Sequence, residues 1–464
     1  MTRSQLKNES VDAVWFRPPK TLTTSVLVAG IIGLLLVVLG YWTSNEGWRR
    51  LQLGYLVAFA YVLSLSLGSL FFVLIQHLMR AGWSVAIRRP AEIFGFNIIC
   101  VAVLAIPIGW FVWQGELYPW AKYGDQVESA SEHGVSFARH VSIDELAKGS
   151  KHPSDTVHGS GAKGHEAGHG HDLYIHQKVD ELTQSKANWL NRPGFLLRMV
   201  LYFAIWFGLV GFYWRQSQAQ DRSVQGIAQT LSMERWAGPA LIVFAVTLTL
   251  ASFDWLMSLD PHWYSTIFGV YFFAGCTVGA LALNLLVLQW MGKDSPLTKN
   301  VSIEHRRDLG RLLFAFVFFW GYIAFSQYLL LWYANVPETT RWFVIRGAST
   351  ATGYANSWGW LLVALLFGNF ILPFLGLMSR HVKSSPRAVR FWTLWLLVMH
   401  YLDLYWLVMP ELGPSFTIGP IEIGCWITVF SIWLMSAVGL ATQISLIPIG
   451  DPRLDESLRL VDAY

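Results

Sequence analysis

The chain has 464 residues, 54% of them hydrophobic and 14% charged, with a formal net charge of +4. Soluble domains carry about 25% charged residues, so a water-soluble globular protein is excluded and lipid is the solvent for most of this chain. The small positive balance does not indicate a nucleic-acid partner, and Cys100, Cys276 and Cys425 show no Cys-x-x-Cys spacing that would hold an iron–sulfur cluster or covalent haem.

In chain order, apolar runs of about 20 residues predict ten transmembrane helices: Thr23–Tyr41, Leu51–Met79, Ala91–Val112, Phe195–Trp214, Pro239–Leu259, Thr266–Met291, Leu312–Tyr333, Gly359–Met378, Phe391–Met409 and Ile421–Ile444. This divides the chain into an N-terminal segment 1–22, spans 1–3 within 23–114, a polar loop 115–194, spans 4–10 within 195–446 and a charged tail 447–464. The first run is too long for the apolar core of a cleavable signal and no small-residue cleavage site follows it, so it is expected to stay as an anchor. Lys and Arg crowd the segments on the side of the N-terminus (Arg88, Arg89, Arg306, Arg307, Arg311, Arg387), whereas the short loops opposite hold Arg49, Arg50, Arg341 and Arg346. Positive charge marks the cytoplasmic side, so both termini are expected in the cytoplasm and the 115–194 loop outside.

That loop contains a Gly- and His-rich stretch, residues 151–176. Its low hydrophobicity fits a flexible polar segment that touches partner subunits. His165, His169 and His171 are close enough in sequence to share Zn²⁺ or Cu²⁺. No acid or cysteine pattern completes a fixed ligand set, and no metal is expected.

The fifth and ninth spans carry the informative acids. Ser252-Phe253-Asp254-Trp255-Leu256-Met257-Ser258-Leu259-Asp260-Pro261-His262-Trp263 places Asp254 inside an apolar run, with Asp260 and His262 at its exit. A lone acid in a span costs roughly 2.5–3.5 kcal/mol on insertion scales, and such residues usually serve a site. On the ninth span His400 and Asp403 are three apart and share a helix face, with Glu411 beyond and Glu422 opening the tenth span. At the opposite end stand His77 and Glu92. Chains of Asp, Glu and His within a bundle build proton relays; the competing reading is that Asp254 and Asp403 hydrogen-bond helices together. Glu92 equally suits a helix N-terminus, Asp260-Pro261 a turn, and His77 an interface.

Asp254 precedes Pro261 by seven residues and Asp403 precedes Pro410 by seven, with Ser-Thr-Ile-Phe-Gly (265–269) and Ser-Phe-Thr-Ile-Gly (415–419) after each. This faint repeat predicts an all-α integral membrane fold of two four-helix bundles, spans 2–5 and 6–9, with spans 1 and 10 peripheral. His77 and His400 are the histidines of the predicted spans and lie at different depths, which excludes a pair of b-type haems.

The stretch 252–269, the ten spans and the doubled bundle together resemble the NrfD-like membrane subunits of bacterial alternative complex III, from about Thr23 to Leu446. Of the two such subunits in that complex, the chain is more similar to the second, quinone-binding subunit 2. The resemblance implies a place in the bacterial cytoplasmic (inner) membrane with loop 115–194 periplasmic. It implies a quinol:electron-acceptor oxidoreductase that uses menaquinone or ubiquinone. Its implied partners are a multihaem cytochrome c, an iron–sulfur subunit, a second NrfD-like subunit and a terminal oxidase. This chain would then bind no haem or iron–sulfur cluster and contribute a quinone site, a proton path or both. The positions that match are Asp254, Asp260 and His262, followed by His400 and Asp403. The 117–193 insertion is not part of the family pattern. Two other classes stay open: a proton-coupled secondary transporter, and a scaffold that anchors peripheral subunits.

Overall fold

The computed structural model of the chain describes residues 16–44, 46–121, 185–223, 226–291, 295–348 and 356–460. Its regular elements are helices, and ten helical stretches are long and apolar enough to cross a membrane: span 1 Lys20–Thr43, span 2 Gly47–Leu78, span 3 Gly82–Trp113, span 4 Arg192–Arg222, span 5 Ile227–Leu259, span 6 Phe268–Trp290, span 7 Ile303–Ala334, span 8 Trp358–Met378, span 9 Pro386–Glu411 and span 10 Pro420–Ala441. The chain is a multi-pass membrane protein.

Span 2 is the hub. It packs against spans 3, 5, 6, 9 and 10 and is almost wholly buried, while span 6, nearly as buried, packs against spans 2, 5, 7 and 9. Helix association in lipid relies on close backbone approach over small residues. Gly68 of span 2 supplies it: a Cβ there would stand 2.1 Å from the Cys276 carbonyl oxygen of span 6. Span 1 leans on span 10 through Gly33 and Gly424 and presents its remaining, leucine-rich surface outward.

Several spans differ from the apolar runs that predicted them. Span 5 starts at Ile227, so Pro239, expected at a span end, is internal to the helix. Hydrophilic side chains on the first turns hid these turns from a hydropathy reading. Span 7 starts at Ile303, which adds His305 to the histidines within spans; the ring of His305 caps the helix by accepting from the Ser302 amide. Span 3 is a 3₁₀ helix, Gly82–Ile87, followed by three α-helical pieces broken at Asn97 and Ala105, and the last piece carries Pro107, which lacks the N–H a continuous helix needs. The Asn97 amide donates to the Trp433 carbonyl of span 10. Span 8 contains a π-helical turn at Leu366–Ile371 with Asn369 buried in it.

The two ends of the bundle differ. At one, the tail end, residues 444–460 fold back under spans 3, 4, 5 and 7. At the other, the loop end, the connection 260–267 packs on 336–348, and 412–419 packs on the start of span 8. Trp263 stacks on Trp342 at 4.1 Å, and the Arg346 guanidinium lies 3.8 Å above the Trp342 ring.

Candidate functional site

Asp254 stands in the last helical turn of span 5 and is 1% exposed. Its carboxylate is fully engaged. Arg198 of span 4 grips it with two prongs, Nε to Oδ2 at 2.7 Å and Nη2 to Oδ1 at 2.9 Å. The Tyr202 hydroxyl donates to Oδ2 at 2.7 Å and the Trp189 indole to Oδ1 at 2.9 Å. Trp189 also lies under the Arg198 guanidinium, 4.2 Å from its ring centroid. A bidentate guanidinium–carboxylate pair is the strongest arrangement available to such groups. Spans 4 and 5 are antiparallel neighbours, which brings Arg198, near the start of one, level with Asp254, near the end of the other.

The described ends of the long loop close over this pair. Tyr118 is buried and donates to the Trp255 carbonyl at 2.8 Å. Burial, and next the nearby Asp254 charge, push the Tyr118 hydroxyl well above its ordinary range. Lys186 donates to the Pro261 carbonyl at 2.5 Å.

Asp260 and His262 sit beyond the helix, because span 5 ends in a short 3₁₀ turn. Asp260 accepts from the His262 amide at 3.0 Å, and the His262 ring nitrogen is 3.3 Å from the same oxygen. Burial pushes the Asp260 carboxyl up, but the ring and backbone of His262 outweigh it and hold it below the usual carboxylate range. Next to it Arg346, wholly buried, donates to the Leu407 carbonyl at 2.8 Å and to Glu411 at 2.9 Å. Burial pulls the Arg346 guanidinium down and Glu411 works against that.

Asp403, on span 9, is 2% exposed. Among the described residues no Lys, Arg or His pairs with it; the Tyr271 hydroxyl of span 6 donates to Oδ1, and the Trp320 indole of span 7 lies beside the carboxyl. One turn toward the tail end, His400 is buried and bonds through Nε2 to the Ser64 hydroxyl of span 2 at 2.7 Å. Ser64 donates its own proton to the Tyr61 carbonyl at 2.6 Å. The Ser64 oxygen therefore accepts from His400, which places the His400 proton on Nε2 and leaves Nδ1 as an acceptor. Nδ1 is buried without a hydrogen-bond partner among the described residues. Asp403, His400 and Ser64 thus join spans 9, 6 and 2 at the centre of the molecule.

The other expected positions lie apart from this centre. Glu422 caps span 10 by accepting from the Gly419 amide at 2.8 Å and pairs with Arg50 of span 2 at 3.1 Å. Glu92 lies between Arg88 at 2.7 Å and Arg89 at 3.3 Å and accepts from Ser217 at 2.7 Å. Those arginines reach on to Asp451 and Asp221, so Glu92 belongs to a buried five-residue clasp that ties spans 3 and 4 to the tail. His77 is buried beside Tyr213, ring to ring 5.4 Å, with Nε2 unpartnered. One cleft near Glu92, lined by Leu70, Phe96, Tyr213 and Trp214, has room for about one water, roughly 10 Å³. Ligand pockets measure about 300–1,000 Å³, so this cleft does not fit a quinone ring. His165, His169 and His171 lie outside the described residues. Among the described residues no group of three or more His, Cys, Asp and Glu is arranged to hold a metal ion.

Sequence reasoning passed over Arg198, Tyr271 and Ser64. Arg198 carried a usable signal: a cation inside an apolar run, on the span that neighbours the one with the acid. Tyr271 and Ser64 carried none, since Tyr and Ser are ordinary residues of membrane helices. No protein-family model matches the chain, and no curated protein matches it.

Proposed function

We propose that this chain is a proton-conducting membrane subunit of a quinol-oxidising respiratory complex of the alternative complex III type, in the position of its second NrfD-like, quinone-binding subunit. One observation supports the proton role above the others: Asp403 is a buried acid at the centre of the bundle with no cation beside it among the described residues. A carboxylate in that setting has no fixed reason to keep its charge and is suited to gaining and releasing a proton. Asp254, matched by Arg198, holds helices and the loop end together.

In this reading spans 2–5 and 6–9 are the two bundles. The tail end faces the bacterial cytoplasm, and the loop end, with residues 115–194, faces the periplasm. The clustering of Lys and Arg on the tail side supports the orientation. Electrons pass through the multihaem cytochrome c and iron–sulfur partners, and menaquinol or ubiquinol is oxidised within the complex. No step is assigned to quinone within the helices of this chain. The test is a mild-detergent pull-down of the chain from its native membrane, followed by a haem stain. Covalent haem on partner bands and none on this chain is the expected result; a chain that purifies alone and colourless sinks the assignment.

A second reading, a proton-coupled secondary transporter, draws support from the breaks in span 3 at Asn97 and in span 8 at Leu366–Ile371. Interrupted helices line the substrate sites of such proteins. The same pull-down separates the two.

A further inference from the structure

The tail end carries positive charge in two settings. Under spans 2 to 5, Arg80, Arg88, Arg89 and Arg453 are met by Glu92, Asp221, Glu234 and Asp451, four cations against four acids. Where span 8 returns against span 7, the cations outnumber the acids. Arg307 pairs with Glu304 and Arg311 with Asp308. Arg306 and Lys383 have no acid beside them among the described residues.

Lys383 is held in place. It belongs to the short helix Arg380–Ser384 that follows span 8. Arg307 Nε donates to the Ser384 hydroxyl at 2.7 Å and ties that helix to span 7. The Lys383 stem crosses Gly310 of span 7, where a Cβ would stand 3.2 Å from Lys383 Cγ. Its ammonium lies 5.2 Å from the centroid of the Phe314 ring. Burial, and next the Arg311 guanidinium, pull the Lys383 ammonium below its ordinary range. Two cations held near each other are relieved by an anion between them. Asp308 occupies part of Arg311, but a guanidinium has five N–H donors and keeps some for a second acceptor.

Apolar surface continues from this cluster into the membrane. Phe314 stacks on Phe374 of span 8 at 5.1 Å, and Phe318 stands 5.8 Å from the same ring. Phe318, Leu375 and Met378 are exposed. Span 7 has 32 residues and runs about 48 Å, longer than a hydrocarbon core of roughly 30 Å. Its first turns therefore stand at headgroup level, and Phe318, near its middle, at acyl-chain level.

We propose that spans 7 and 8 bind one anionic phospholipid at the tail end, its phosphate against Lys383 and Arg311 and an acyl chain along Phe318. Arg306, one turn before Gly310, adds to the positive field. Basic pockets between membrane helices take up such headgroups. The positive-inside bias gathers cations at this end, but it does not require one of them to be fixed across a glycine with a like charge beside it. The site is independent of the proton path.

The test is native mass spectrometry of the full chain, purified in mild detergent and titrated with dioleoyl phosphatidylglycerol. One double variant is Lys383→Met with Arg311→Gln; the methionine keeps an apolar stem over Gly310. The control, Arg387→Gln with Arg390→Gln, removes two exposed charges from the same end. Wild type is expected to hold one phosphatidylglycerol. Two cations at a membrane surface are worth about 30-fold in affinity, so the first variant should bind about 30-fold more weakly and the control like wild type. Equal weakening in both overturns the site in favour of general charge attraction. Equal uptake of dioleoyl phosphatidylcholine, or displacement by inorganic phosphate at the lipid's own concentration, overturns the lipid assignment. If the first variant binds phosphatidylglycerol normally but loses a partner subunit from the native complex, the surface belongs to an acidic protein and the proposal fails.

Discussion

Asp254 and Asp403 hold the same place in the chain pattern, each seven residues before a proline at the end of a span, and both are buried. Their surroundings are opposite. Asp254 is clamped by Arg198 from two sides and receives the Tyr202 hydroxyl and the Trp189 indole as well. Asp403 receives one tyrosine hydroxyl, with the Trp320 indole beside it, and no cation among the described residues. The two stretches share the acid and its spacing to a proline but not the counter-ion, so position along a span does not reveal what an acid does; the neighbour across the interface decides it. A charge that is paired and buried stabilises geometry and is costly to break. One that is buried and unpaired is free to exchange its proton.

The largest expected effect separates the two centres by stability. Arg198→Met strands the Asp254 carboxylate in the bundle and should lower stability by about 3–5 kcal/mol, read as an earlier loss of monodisperse protein on heating in detergent. Adding Asp254→Leu should recover most of that loss. If Arg198→Met melts with the wild type, the clamp is not structural and the contrast between the centres collapses.

Asp403→Asn should show the reverse pattern. The Tyr271 hydroxyl still finds an acceptor, so stability should change little, while proton movement by the assembled complex should fall about 10²-fold, the low end for a positioned acid–base group. Unaltered proton movement would place the path elsewhere.

A matched pair of tyrosine substitutions sharpens the comparison. Tyr271→Phe removes the donor seen on Asp403 and should cost about 1–3 kcal/mol, whereas Tyr202→Phe leaves Asp254 with Arg198 and Trp189 and should cost about 0.5–1.5 kcal/mol. Equal losses by thermal unfolding would mean that the count of partners does not matter.

The smallest effect concerns acid stability at the loop end. The Asp260 carboxyl is held below its ordinary range in the folded chain, so the folded state binds this proton more weakly than the unfolded chain does. Its contribution is present above the ordinary carboxylate value and is lost as pH falls through the lower, folded one. His262→Ala keeps the backbone N–H and should remove the ring's part of it, worth less than about 1 kcal/mol because the pair is partly exposed. An acid-unfolding curve identical to wild type would show that the turn does not depend on it.

Much of the fold was legible because lipid imposes one rule, about 20 apolar residues per crossing. Asp254 and Asp403 were legible for the same reason, as charges where none is expected. The breaks in spans 3 and 8 were not, since a hydropathy reading registers apolarity and ignores the missing N–H of Pro107 or the wider turn around Asn369. Arg198 was read as part of an apolar run and its pairing was missed. The tail reads as a solvated charged segment, yet Asp451 and Ser457 are buried, because Arg88 offers Asp451 a partner and the Ala86 amide and Trp83 carbonyl satisfy Ser457. In each case the sequence displays the group and hides the tertiary neighbour that fixes its role.

The most direct measurement compares proton uptake by liposomes holding the purified complex with Asp254→Asn and with Asp403→Asn, each normalised to the amount of folded, assembled subunit. The account predicts that the assembled fraction with Asp254→Asn moves protons at close to the wild-type rate, while Asp403→Asn assembles fully and moves them about 10²-fold more slowly. Full proton movement with Asp403→Asn, or its loss in well-assembled Asp254→Asn, would contradict it.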